Sequence, residues 1–286
     1  MSTDYTLVGP GFAAEITGAN IADTWSTQTV QEIRKIWLDH KVVIFRDQNL
    51  EDDDLKRFAE YFGEIFVHIR SQYHSADHPG ITLVSNAKKN GKAIGALGNY
   101  GIGWHCDQCY RETPAFSTIL YGVDIPSEGG NTSIGDLAQA YAAMPAALKA
   151  RIDGKRIVYS ISKITEKRDY ETTAAQRAAS PDVTQPLVRQ HPHLDRPSLY
   201  FSPDHAVRIE GVEDAEQEAL QQELSDWAGQ PAFVYEHCWR PGDLIMWDNT
   251  STMHRRSGFA PTERRLLKRT GFMLPPDLAI PLPAVK

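Results

Sequence analysis

The stretch HCDQCYRE, His105 to Glu112, places a His, an Asp and two Cys within five consecutive positions. It admits two readings. Cys106-x-x-Cys109 could be half of a zinc site or a redox thiol pair. Alternatively, His105-x-Asp107 could be two-thirds of an iron site with the cysteines as neighbours. The zinc reading needs four N or S ligands, commonly arranged as two paired motifs. No second pair follows, because Cys238 stands alone and the histidines at 191 and 193 flank a proline. A redox CxxC should open a helix after a strand, yet Pro114 follows closely and Arg111-Glu112 starts no amphipathic pattern. The iron reading needs two His and one carboxylate on one face. In extended chain, residues i and i+2 point the same way, so His105 and Asp107 can reach one ion from a single strand end.

The flanking pattern is that of a mainly β protein with helical insertions. KVVIFRDQ (41–48) is a β-branched run bounded by polar turns, and ITGANI (16–21) reads as a short strand before it. Between them TQTVQEIRKIWLDH carries Val30, Ile33, Ile36 and Trp37 at helical spacing. EDDDLKRFAEYFGEI repeats that pattern, with acidic residues in its first turn and Gly63 as a stop. STILYGVDIPSEGGNTSIGD gives two strand-like runs, and LAQAYAAMPAALKARIDG reads as one helix. Residues 165–184 are polar and weakly patterned, which predicts a mobile insertion or lid. PSLYFSP, PAFVYEHCW, DLIMWDN and RRLLKRTGFML return to strands around one further helix, DAEQEALQQELSDWA. Strands early and late with helices between them predict a double-sheet barrel, not alternating βαβ units. No internal repeat or linker divides the chain, so 1–286 is expected to form one domain.

Composition narrows the function. An apolar share of 41% with 23% charged residues is ordinary for a globular protein. A net charge of −7 argues against a nucleic-acid binder. The first residues show no secretory pattern. No run approaches the roughly 20 apolar residues of a membrane span. Three cysteines make no disulfide framework, so a cytoplasmic setting and no membrane partner are expected.

The third iron ligand is sought among the remaining histidines. His254 follows the apolar run DLIMWDN and a polar turn. The next strand, Arg265 to Arg269, puts both arginines and Leu267 on one face. Two inward guanidiniums demand an anion, and a dicarboxylate meets their fork geometry. An outward, solvated basic edge is the competing reading of that strand.

Taken together, VVIFRDQ, RFAEYFGEI, WHCD, EGGNTSIGD, LVRQHP and GDLIMWDNTSTMH…RRLLKRTGF, in this order, resemble the Fe(II)- and 2-oxoglutarate-dependent dioxygenases of the taurine dioxygenase and 2,4-dichlorophenoxyacetate dioxygenase type, over nearly the whole chain. The resemblance implies a jelly-roll, cupin-like double-stranded β-helix. It implies Fe(II), 2-oxoglutarate as cosubstrate and O2, with release of succinate and CO2. His105, Asp107 and His254 would bind iron. Thr132 and Arg265 would hold the far carboxylate of 2-oxoglutarate. Arg269 would lie at the cosubstrate or at an acidic group of the substrate.

His68 falls where taurine dioxygenase has a sulfonate-contacting histidine. Three departures count against taurine itself. Gly101 replaces a substrate-contacting Asn, His205 stands where a Phe is expected, and Tyr73 lies two residues beyond the position of a family Tyr. The substrate is expected to be a small anionic molecule: a sulfonate, aryloxyalkanoate, sulfate ester or amino-acid derivative. Desaturation or oxidative decarboxylation at the same iron is an alternative outcome, and a zinc or redox-thiol protein using Cys106 and Cys109 is the alternative class. Trp104 and Trp247 could wall the site, with core packing as the leading reading of each. The family's habit implies a homo-oligomer.

Overall fold

The runs VVIF (42–45), LIMWD (244–248) and most of AFSTILYGVD (115–124) are buried along their length. Unlike half-exposed strands they need no polar alternation, because both faces of the sheet they build are covered. In the computed structural model, which describes residues 3–166 and 173–275, they form the middle of an eight-stranded sheet. Its order is Asp4–Val8, Ala13–Thr17, Val42–Phe45, Leu244–Asp248, Ala115–Asp124, Leu266–Met273, Thr82–Ser85, Ala96–Leu97. A second, four-stranded antiparallel sheet runs Val234–His237, Thr132–Asp136, Thr252–Arg256, Ile102–His105.

Strand alternation decides what each face meets. Val43, Phe45, Ile119, Tyr121, Leu244 and Met246 face outward, onto Ile33, Ile36 and Trp37 of helix Thr27–His40 and Leu55 and Phe58 of helix Asp52–Glu60. Val42, Ile44, Leu120, Ile245, Trp247 and Leu267 face inward and meet Ile134, Tyr235 and Trp239 of the small sheet. Two sheets closing on one apolar interior make the jelly roll. The far side of the small sheet packs on helices Leu137–Ala143 and Asp214–Ala228.

Local chemistry sets the element ends. Ser26 Oγ accepts from Thr29 N at 3.1 Å, capping the first long helix. Three acidic residues, Asp52 to Asp54, occupy the first turn of the next, where the helix dipole favours them. The segment expected as one helix after residue 136 is two, Leu137–Ala143 and Ala146–Ile152. Pro145 has no N–H and disfavours helical backbone in Met144 before it. The strand expected at 16–21 lies instead at Ala13–Thr17, ended by Gly18 at φ 77°. Of the stretch 165–184, residues 167–172 lie outside the described residues. Val183 and Thr184 are strand-paired with Tyr159 and Val158.

The turn that delivers His254 is organised by Asp248, whose side chain is 1% exposed. Its carboxylate accepts from Thr250 N at 2.7 Å, Thr250 Oγ1 at 2.6 Å and Ser251 Oγ, and pairs with His191 Nε2 at 3.0 Å. Burial alone would raise the Asp248 pKa, but His191 and the hydroxyl donors outweigh it and hold it at about 2. A pKa depressed in the folded state contributes stability that is present above the ordinary carboxylate value and lost as pH falls through the folded one. From about 3.8 to about 2 this amounts to about 2 kcal/mol. Asp248→Asn is therefore expected to destabilise the fold at pH 7 by about 3 kcal/mol. The gap from wild type should shrink between pH 5 and pH 3 in denaturant titrations. A gap that stays constant contradicts this account.

Candidate active site

His105 ends the edge strand Ile102–His105, and Asp107 follows two residues on. His254 lies directly across from His105 on the neighbouring strand. Strand register therefore brings His254 to a pair that sequence proximity already joins. Their ligand atoms all lie within 4.8 Å of one another, and no other such group occurs among the described residues. Asp107 stands between the rings, with Oδ1 4.0 Å from His105 Nε2 and Oδ2 3.9 Å from His254 Nε2.

The protonation states suit a divalent cation. His105 Nδ1 is 2.9 Å from the Gly103 carbonyl, which can only accept. Nδ1 therefore carries a proton, and Nε2 is the nitrogen turned toward Asp107 and available to a metal. Burial, with His105 and Arg269 nearby, pushes His254 well below the ordinary imidazole pKa, so it is neutral. Burial alone would raise the Asp107 pKa. Arg269, the two histidines and a hydrogen bond from Thr118 Oγ1 at 2.7 Å reverse that, and the carboxylate is ionised. Two imidazoles and one carboxylate are the donor set of a non-heme iron centre.

The pocket beside the triad is lined by Val84, Leu97, Leu120, Thr132, Arg265 and Arg269, among others. Arg265 is 1% exposed. Its Nη2 donates to the Gly130 carbonyl at 2.9 Å, but Nε has no partner and no carboxylate pairs with the guanidinium among the described residues. Burial, with Arg256 adjacent, brings its pKa down to about 9. Gly130, at φ 67°, makes room for it, because a Cβ there would stand 2.9 Å from Arg265 Nε. A buried arginine without a carboxylate is costly unless an anion joins it. Thr132 Oγ1 already receives the Trp239 indole N–H at 3.0 Å, so its own proton is left to donate elsewhere. The residues thus fit both a metal ion and a carboxylate-bearing cosubstrate.

Arg269 Nη1 lies 3.5 Å from Asp107 Oδ1, at the boundary of metal and pocket. Burial and then Arg269 and Arg70 push His68 well below its usual pKa, which puts this histidine in the field of Arg269. The His205 ring centroid is 6.0 Å from that of His105 and 5.1 Å from that of Tyr110. His205 therefore stands beside the triad, whereas His68 is tied to it only through the charges of Arg269 and Asp107, and neither lines the pocket described above. Tyr73 is half-buried in the turn Ser71–Tyr73, and Gly101 is exposed ahead of the His105 strand; neither lines the pocket described above. A Cβ at Gly101 would make only ordinary contacts, at 3.5 Å.

The cysteines have another place. Cys106 and Cys109 are fully buried in an apolar cluster with Trp104, Tyr110, Phe201 and Met253. The Cys106 Sγ lies 3.3 and 3.5 Å from the carbonyls of Thr252 and Phe201, which compete for its one proton. Burial pushes both thiols upward, so they stay protonated, the form that neither binds zinc nor attacks a disulfide. The zinc or redox-thiol alternative is not supported. Sequence reasoning missed Thr118, Asn249 and Trp239, since a Thr in a strand and a Trp in an apolar run carry no signal of their own.

A jelly roll holding a His-Asp-His triad beside a buried, anion-seeking arginine defines a 2-oxoglutarate-dependent non-heme iron dioxygenase. The chain belongs to the family of the taurine catabolism dioxygenase TauD and TfdA, whose model matches residues 4–270. It is 32% identical over 279 residues to the alpha-ketoglutarate-dependent 2,4-dichlorophenoxyacetate dioxygenase of Cupriavidus pinatubonensis, covering 94% of this chain and 97% of that one. It is 31% identical over 263 residues to the (S)-phenoxypropionate/alpha-ketoglutarate-dioxygenase of Sphingobium herbicidovorans, covering 90% of each. Among solved structures it resembles AAD-2 in complex with Mn(II) and N-oxalylglycine, with a TM-score of 0.81, 29% identity, and coverage of 96% of this chain and 98% of that one.

Proposed function

We propose that the enzyme oxidises a small anionic substrate of the aryloxyalkanoate kind, hydroxylating the carbon beside its acidic group. Arg265, buried beside the triad with no carboxylate partner among the described residues, is the observation that carries the cosubstrate half of this reading. His105, Asp107 and His254 hold Fe(II), while Arg265 and the Thr132 hydroxyl grip the far carboxylate of 2-oxoglutarate. When bound, iron and 2-oxoglutarate supply the oxidising chemistry, with O2 consumed and succinate and CO2 released.

The protein's own part is geometric and electrostatic. Arg265, itself 1% exposed, pairs with the far carboxylate of the dianion. Leu120, Val84 and Leu97 give the cosubstrate chain apolar walls. Arg269 and His68 draw the substrate's acid group toward the metal, and His205 and Tyr110 border the reacting carbon. Tyr73 and Gly101 belong to the outer part of the substrate site, where the absence of a side chain at 101 leaves room for an aromatic ring.

The names of the two relatives support an aryloxy acid over taurine, as do the departures at Gly101, His205 and Tyr73. The chain, 1–286, works as one domain. It acts in the cytoplasm as a homo-oligomer on a small molecule, and not on nucleic acid or membrane. The net charge of −7 argues against a nucleic-acid partner, and among the described residues no helix is long and apolar enough to cross a membrane.

Succinate formation measured across a panel tests the substrate class. Aryloxyacetates and aryloxypropionates should stimulate it, and their methyl esters should not. Stimulation by the esters alone would overturn the anionic reading.

A further inference from the structure

Asn249 and Thr118 link the buried indole of Trp247 to the carboxylate of Asp107. Trp247 Nε1 donates to Asn249 Oδ1 at 3.1 Å, and Asp107 N approaches the same oxygen at 3.4 Å. Asn249 Nδ2 donates to Thr118 Oγ1 at 2.9 Å, and Thr118 Oγ1 lies 2.7 Å from Asp107 Oδ2. Trp247, Asn249 and Thr118 are all buried, and Trp247 and Thr118 are direct partners across the sheet.

The direction of every proton in this relay follows from its first member. An indole N–H and a backbone N–H can only donate. Two such donors on one amide atom require that atom to be oxygen, which settles the Asn249 flip. The amide nitrogen must then face Thr118 and occupy its acceptor side. The Thr118 proton is thereby turned onto Asp107 Oδ2. A carboxylate held in this way keeps one oxygen engaged and cannot swing about its Cβ–Cγ bond. The Trp247 ring also packs on His254, with centroids 4.7 Å apart. One side chain thus bears on two of the three ligands, on one through packing and on the other through hydrogen bonds.

We propose that Trp247 is a positioning residue for the metal centre, orienting the Asp107 carboxylate through Asn249 and Thr118. This rests on the reading of His105, Asp107 and His254 as metal ligands. The inference goes beyond the ligand set, because it makes an indole N–H three residues along the relay a determinant of metal affinity.

The test is anaerobic titration of the full-length, metal-free protein with Co(II), read as a dissociation constant without any turnover. Trp247→Phe keeps a ring against His254 and removes the N–H, and Thr118→Val keeps the shape and removes the hydroxyl. Each is expected to weaken Co(II) about tenfold, as loss of an outer hydrogen-bond partner of a ligand typically does. Thr118→Ser restores wild-type affinity, which a merely structural role for the threonine methyl would not allow. Because the links act in series, Trp247→Phe combined with Thr118→Val should lose no more than either alone.

Asn249→Ala cuts the same relay at its middle with the indole in place, and decides the matter if Trp247→Phe does not fold. Wild-type affinity in Trp247→Phe or Asn249→Ala, or losses that multiply in the double variant, would overturn the proposal. Failure of the wild type itself to bind Co(II) would instead strike at the metal reading.

Discussion

Asp107→Ala is expected to abolish 2-oxoglutarate turnover, with a loss of about 10³-fold or more. The residue supplies the only carboxylate of the triad. The Coulomb attraction between one ionised oxygen and a divalent cation in a buried site is worth several kcal/mol, and each 1.36 kcal/mol is a factor of ten. The visible charge-transfer band of chelated 2-oxoglutarate, seen on adding Fe(II) and then 2-oxoglutarate without oxygen, should appear in the wild type and vanish in the variant. Retention of the band with normal succinate release would remove Asp107 from the metal. The variant also deprives Arg269 of the carboxylate 3.5 Å from it. Its thermal midpoint therefore needs to be recorded alongside, to separate a lost ligand from a loosened fold.

The second large effect concerns Arg265→Met. In the wild type a buried guanidinium with an unpaired Nε sits beside Thr132. Charge-assisted, fork-shaped bonding to a carboxylate is worth about 4 kcal/mol when one partner is removed. The 2-oxoglutarate KM should thus rise by about 10³-fold, while metal affinity changes little. The stability effect has the opposite sign. Without cosubstrate the variant should be as stable as the wild type or more so, because an uncompensated buried charge has been replaced by apolar volume. Adding 2-oxoglutarate should raise the melting temperature of the wild type and leave that of Arg265→Met unmoved. A KM within threefold of wild type would place the cosubstrate carboxylate elsewhere.

Much of this site was legible before any fold was known, for reasons specific to each residue. His105-x-Asp107 could be read because side chains two apart on extended chain share a face. Arg265 and Arg269 could be read because they flank Leu267 at the same period, and Leu267 is indeed in the inner core. The helical faces of Ile33, Ile36 and Trp37 and of Leu55 and Phe58 follow their spacing directly. Trp247 was legible only as an apolar residue in an apolar run. Its link to Asp107 depends on its register opposite Thr118, and register between strands 130 residues apart leaves no local trace. The two-helix break at Pro145 is a different matter. The proline was in view, and an apolar periodicity that continues through it outweighed a stop signal that sterics enforce.

The place of strand Leu266–Met273 in the large sheet has a consequence for how the molecule is made. It lies between Ala115–Asp124 and Thr82–Ser85, both of which leave the ribosome well before it does. Until it arrives, each of those strands presents an open edge of unpaired N–H and C=O groups to the crowded cell. The emerging chain carries His105 and Asp107 from early on, whereas His254, Arg265 and Arg269 all follow late in the sequence. Neither the iron site nor the dicarboxylate site can assemble piecemeal during translation. The dicarboxylate site is complete only when the strand that carries Arg269 closes the large sheet, and the waiting edges are the segments on which a chaperone would act.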